Sequence, residues 1–224
     1  MKCAIILTVI SVAVAASVPE PTQQRIIGGS ATTINKYPFA AHFQLLDGLI
    51  WDPHCGGSLL SNTVFCDESL SRKAWQLLLN QRRNPLQCSL YSEVIRAARI
   101  PSNSFPIADD TKLTVGGPAA EILQEVQVNK INQEICAERY RLLNEQRPPW
   151  FQLPDVTDNM FCSGILDVGG KDGCQGDSGG PVILDNDIVV GITSWGEGCA
   201  EALYPGVNAD VRAVSDWIVA IANQ

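Results

Sequence analysis

Nine consecutive residues, Gly173-Cys174-Gln175-Gly176-Asp177-Ser178-Gly179-Gly180-Pro181, carry the most legible chemistry in this chain. One serine set among glycines suits a nucleophile whose Oγ must stand exposed beside backbone N–H donors. A serine hydroxyl is a weak nucleophile at its free pKa. Such a site therefore also needs a general base, most often histidine, and a carboxylate to orient that base. The chain holds two histidines, His42 and His54.

The elements that would carry such a turn are short strands. Apolar runs at 39–46 and 58–60 sit between glycine and proline punctuation, which predicts strands. Residues 182–184 and 188–194 predict a further strand pair, joined by Asp185-Asn186-Asp187. Two helices are expected, one over 132–143 and one at the C-terminus, where Val211, Val214, Trp217, Ile218 and Ile221 share a face. The stretch 61–92 departs from this pattern. Leu70, Ala74, Leu77 and Leu78 follow helical spacing until Pro85, and Arg72, Lys73, Arg82 and Arg83 concentrate basic charge there.

Composition narrows the function classes. The chain has 224 residues, with 16 basic against 24 acidic side chains and a formal net charge of −8. That balance disfavours nucleic acid and anionic membranes as partners. Met1-Lys2-Cys3, the apolar run 4–16 and the small residues Ala13, Ala15 and Ala16 predict a secretory signal peptide over 1–16. No later apolar run is long enough to span a bilayer. A secreted product is expected, with 17–25 as a short leader ending in Arg25. Removing Cys3 leaves Cys55, Cys66, Cys88, Cys136, Cys162, Cys174 and Cys199, an odd set for an oxidising compartment.

Taken together, these segments resemble the chymotrypsin-like serine proteases, and within them the secreted trypsins. The resemblance rests on Arg25-Ile26-Ile27-Gly28-Gly29, Cys55-Gly56-Gly57-Ser58-Leu59, the Ser178 turn, Ser194-Trp195-Gly196 and Pro205-Gly206-Val207. It covers roughly 26–60 and 93–224, with a gap near 115. It implies an all-β fold of two six-stranded antiparallel barrels with a C-terminal helix, the N-terminal barrel incomplete, over a protease domain at 26–224. It implies Ser178 as nucleophile, with the N–H groups of Gly176 and Ser178 as oxyanion hole. Asp172 would form the floor of a pocket for Arg or Lys, walled by Ser194, Trp195, Gly196 and Gly206. Cleavage after Arg25 would free the Ile26 amine to meet Asp177. Disulfides Cys136–Cys162 and Cys174–Cys199 follow from the same resemblance. So do peptide or protein substrates, protease inhibitors as further partners, a monomer, and no cofactor or metal.

The chain also departs from that family. The base stands in an Ala-Ala-His-Cys context after the strand carrying Cys-Gly-Gly-Ser-Leu, yet here Thr63-Val64-Phe65-Cys66-Asp67 follows and no histidine does. His54 precedes that strand motif and His42 lies within an apolar strand, so neither occupies the place of the base. Asp67 precedes a helical pattern, while Asp109 and Asp110 resemble a later surface loop, so the orienting acid is not found either. Cys55 loses its expected partner, leaving Cys66 or Cys88. Two readings follow: a shifted frame or mis-joined exons across 61–92 in the gene for an intact enzyme, or a genuine chain that has lost its triad. The first is favoured, because helical, basic composition replacing strands breaks local–global consistency. On either reading the chain as written is expected to be catalytically impaired, a relic or non-catalytic homologue holding basic peptides or inhibitors being the alternative function.

Overall fold

The computed structural model describes residues 26–47, 50–59, 65–66, 86–90, 96–117 and 122–222. The signal and leader segments, Arg25 included, and the helical pattern over 67–83 lie outside the described residues.

The C-terminal lobe is a closed barrel. Its strands are β6 (Lys112–Gly117), β7 (Gln124–Ile131), β8 (Met160–Gly164), β9 (Pro181–Leu184), β10 (Ile188–Trp195) and β11 (Gly206–Asp210). They run antiparallel in the order β7-β6-β9-β10-β11-β8, and a β7–β8 pairing closes the ring. A two-residue strand β1 (Ser30–Ala31) adds to the outer edge of β7. Alternation builds the interior: Leu113 and Val115 of β6 and Val126 and Val128 of β7 point inward, joined by Phe161, Val182, Ile188 and Val190. The unbroken apolar run of β10 has another cause, because Val189 and Ile192 face a second cluster shared with the other lobe. Residues 188–192 of β10 are buried on both faces. Left-handed backbone at Asp185 (φ 53°) and Asn186 (φ 68°) turns β9 into β10, a conformation these short polar side chains tolerate.

The N-terminal lobe is a four-stranded antiparallel sheet among the described residues, ordered β4-β3-β2-β5. These are β2 (Ala40–Asp47), β3 (Ile50–Leu59), β4 (Phe65–Cys66) and β5 (Leu86–Leu90). The β2–β3 register shifts between Phe43 and Gln44, and His54 is the residue left without an opposite number. Phe43 opposes Cys55 on one side and Cys88 on the other. That places two strand spacings, about 9.5 Å, between the Cys55 and Cys88 backbones, beyond disulfide reach. Cys66 opposes Ser58, three residues along β3 from Cys55, so it lies roughly as far away. Tyr37, Phe39, Ala40 and Leu59 meet Ile183, Val189, Ile192, Val211 and Ile218 between the lobes.

Two α-helices are present among the described residues. α1 (Gln133–Glu145) starts at Asn132, whose side chain accepts from the Ile135 N–H at 3.1 Å. It buries Cys136, Tyr140 and Leu143, spaced one turn apart, against the barrel. α2 (Ser215–Ala222) follows a 3₁₀ turn, Val211–Val214, and seats Ile218 between the lobes. Among the described residues no helix is long and apolar enough to cross a membrane.

Candidate active site

The Ser178 turn is assembled by backbone hydrogen bonds. Asp177 N–H donates to Cys174 O at 2.9 Å and Gly180 N–H to Asp177 O at 2.8 Å, with positive φ at Gly176 and Gly179 permitting the reversal. Gly179 N–H and Thr193 N–H exchange bonds with Thr193 O and Gly180 O, which pins the turn to β10. The other lobe holds it too: Gly56 N–H of β3 donates to Ser178 O at 2.8 Å. The N–H groups of Gly176 and Ser178 make no backbone hydrogen bond among the described residues, so both are available to a bound oxygen.

Ser178 opens onto a cavity of about 250 Å³. Asp172, Ser194, Trp195, Gly196 and Gly206 line it together. The Asp172 carboxylate is 7% exposed and makes no ion pair among the described residues. Its Oδ1 accepts from Gly173 N–H at 2.9 Å and its Oδ2 from Ala200 N–H at 3.2 Å. Burial pushes its pKa up to about 6, and the two N–H donors offset only part of that cost. Gly206 leaves the floor open, since a Cβ there would stand 2.7 Å from Asp172 Oδ1. The disulfides Cys174–Cys199 and Cys136–Cys162 are both formed, the first bridging the Ser178 turn to the far wall.

Ile26 is 2% exposed and packs into the barrel cluster. It converges with Asp177 on Gly117, where an added Cβ would meet Ile26 Cγ1 at 2.4 Å and Asp177 Oδ1 at 2.8 Å. Asp177 is fully buried, and its Oδ2 accepts from Cys174 N–H at 2.9 Å. The next residue, Ile27, pairs with Asp172 in a two-bond bridge, Ile27 N–H to Asp172 O at 2.9 Å and the reverse at 3.2 Å. The segment after Arg25 is thus joined to the backbone of the pocket floor.

Among the described residues Ser178 Oγ has one polar contact, a long 3.5 Å approach to Ser194 O. The backbones of His42 and His54 lie in β2 and β3, and their side chains fall outside the described residues, as does Asp67. Asp109 is engaged elsewhere, with Lys130 and Asn132 at the start of α1. No cluster of three or more histidine, cysteine, aspartate or glutamate side chains suited to a metal is found among the described residues.

Sequence reasoning missed Tyr140. Its hydroxyl donates to Pro205 O at 2.8 Å and accepts from Glu197 N–H at 3.3 Å, tying the two walls of the cavity together. Its ring meets Trp195 edge-on with centroids 5.0 Å apart. Burial raises the Tyr140 pKa far above the ordinary phenol value, so it remains a donor at any working pH. The signal was present as spacing, since Tyr140 stands one helical turn after Cys136. Arg147, just past α1, pairs with Glu197 and adds a second tie to the same wall.

Comparison with known proteins shows the family. The family model described as Trypsin matches residues 77–218. The chain is 33% identical over 263 residues to "Trypsin, alkaline C" of Manduca sexta, covering 97% of this chain and 98% of that protein. It is 30% identical over 267 residues to "Trypsin CFT-1" of Choristoneura fumiferana, across 99% and 100% of the two. Both alignments are longer than the 224 residues of the chain, so they carry gaps on its side. A shorter stretch of 96 residues is 49% identical to "Trypsin Blo t 3" of Blomia tropicalis, 43% of this chain and 32% of that protein.

Proposed function

This chain belongs to the trypsin family of serine proteases, and on that premise we propose a secreted zymogen, opened at Arg25–Ile26, whose pocket receives an Arg or Lys side chain but whose turnover of peptides is severely impaired. The observation that carries this reading is the buried Asp172 carboxylate, which lines the same cavity as Ser178. A buried carboxylate without a cation is held at a cost, and a substrate guanidinium or ammonium offsets it.

The division of labour then follows from the atoms. A basic side chain at the floor would bring the next carbonyl carbon to Ser178 Oγ. The N–H groups of Gly176 and Ser178 would receive the oxyanion as Oγ attacks. The Oγ proton must leave in the same step, and among the described residues nothing basic lies within hydrogen-bond reach of it. Cleavage after Arg25 would place a new ammonium on Ile26 beside the buried Asp177, and the Ile27–Asp172 bridge carries that ordering to the pocket floor.

The test is amide hydrolysis. The purified, Arg25-cleaved protein is assayed on benzoyl-arginine p-nitroanilide. Loss of the base in such enzymes costs on the order of a million-fold in kcat, so near-background turnover is expected. A rate typical of intact trypsins would overturn the impaired reading. Translating the coding nucleotides for 61–115 in every frame separates its two origins: an Ala-Ala-His-Cys segment in another frame identifies a misread gene.

The second reading, a non-catalytic homologue that holds basic peptides or inhibitors, is favoured by Ser178 Oγ having, among the described residues, only the long contact to Ser194 O. It is distinguished by equilibrium binding of an arginine-mimicking cation without turnover.

A further inference from the structure

Thr193 and Asn208, two polar side chains that the steps above leave unused, line the same cavity as Asp172. They are direct cross-strand partners on β10 and β11, so their side chains stand about 5 Å apart on one face. Asn208 is 3% exposed. Its amino group donates to Ser163 Oγ at 2.9 Å and reaches Phe161 O at 3.4 Å. A backbone carbonyl can only accept, which fixes the amino group on that side and turns Asn208 Oδ1 toward the cavity. Thr193 Oγ1 is buried without a hydrogen-bond partner. Its Cγ2 lies 3.3 Å from where a Cβ on Gly173, a neighbour in the cavity lining, would stand. A χ1 rotation of about 120° moves the hydroxyl to the place of the methyl and the methyl to that of the hydrogen, bringing an acceptor beside Gly173 in the cavity lining and relieving an unsatisfied buried group.

From this geometry we infer that Thr193 and Asn208 form a neutral hydrogen-bonding wall beside Asp172 that selects a planar guanidinium or amidinium over a primary ammonium. The inference rests on the reading of Asp172 as a cation-binding floor. A guanidinium or amidinium spreads its N–H groups in a plane, so one edge can fork onto the carboxylate while others point away to the wall. An ammonium gathers its three donors on one nitrogen and, seated on Asp172, leaves the wall without a partner.

The experiment is calorimetric titration of the Arg25-cleaved protein at pH 8 with benzamidine and with benzylamine, which share a ring and differ in the cationic head. In Thr193→Val and in Asn208→Leu, benzamidine is expected to bind about three- to tenfold more weakly, the range of one hydrogen bond, with benzylamine unchanged within about twofold. Thr193→Val is isosteric and keeps the test available if Asn208→Leu does not fold. Equal weakening of both ligands, or no change in either, overturns the wall. Asp172→Asn is the control for the underlying reading and should abolish binding of both cations. If the parent protein binds neither cation, that reading falls and this inference with it.

Discussion

Benzamidine affinity for the Arg25-cleaved protein is expected to fall about a hundredfold from pH 8 to pH 4, and Asp172 alone sets that magnitude. Its pKa stands at about 6 because burial disfavours the charged form. Two pH units below that value about 1% of the carboxylate is ionised, and the amidinium stays charged throughout, so the loss approaches two powers of ten. Protein stability runs the opposite way. The folded pKa lies above the unfolded value of 3.8, so the native state binds more protons between about pH 4 and pH 6. Stability is therefore largest below that window and declines as pH rises through it. A shift of this size corresponds to about 3 kcal/mol of cost in holding the bare carboxylate at pH 8. Asp172→Asn removes that charge but turns one amide hydrogen toward a backbone N–H. It is expected to raise the unfolding free energy at pH 8 by roughly 1–2 kcal/mol, to give no gain at pH 4, and to lose cation binding. Isothermal titration and urea unfolding across the pH range read both quantities. An affinity unchanged between pH 4 and pH 8, or an Asp172→Asn protein that is less stable at pH 8 yet still binds, would refute the reasoning.

Further outcomes are expected from the same geometry. Gly117→Ala forces a methyl group to within 2.4 Å of Ile26 Cγ1; displacing that buried side chain should cost roughly 2–3 kcal/mol and weaken benzamidine binding through the Ile27–Asp172 bridge, read by urea midpoint and titration. Tyr140→Phe leaves Pro205 O and Glu197 N–H without their partner and should cost about 1–3 kcal/mol, with a loss of cation affinity that a purely global destabilisation would not give below the unfolding transition. Replacing Cys136 and Cys162 by alanine opens a loop with sequence separation 26; roughly 3 kcal/mol of stability should be lost, seen as a lower urea midpoint.

The C-terminal lobe was legible because its signals are local. The Asp185-Asn186-Asp187 turn and the glycines around Ser178 each act within a few residues, and β9, β10 and α1 lie where the pattern placed them to within about two residues, whereas β6 and β7 were not read. Asp172 was legible through its fixed offset from Ser178, although its burial was not. Thr193 and Asn208 escaped notice because their meeting depends on register between β10 and β11, which neither strand states alone. Tyr140 escaped for a related reason: its hydroxyl joins walls supplied by residues 197 and 205, far along the chain. The N-terminal lobe offered less, since the family's punctuation stops after Leu59 and the replacing stretch follows a different period.

The hydrogen bond from Gly56 N–H to Ser178 O has a consequence beyond holding a turn. The N-terminal lobe, which supplies no cavity-lining residue among the described residues, still grips the backbone of Ser178. Damage to β3 would thus reach the reactive centre as a loss of tension, with every pocket-lining side chain still in place. A lesion confined to the first lobe could leave affinity for a cation intact while letting Ser178 drift from the carbonyl carbon it should attack, so that recognition and reactivity fail separately.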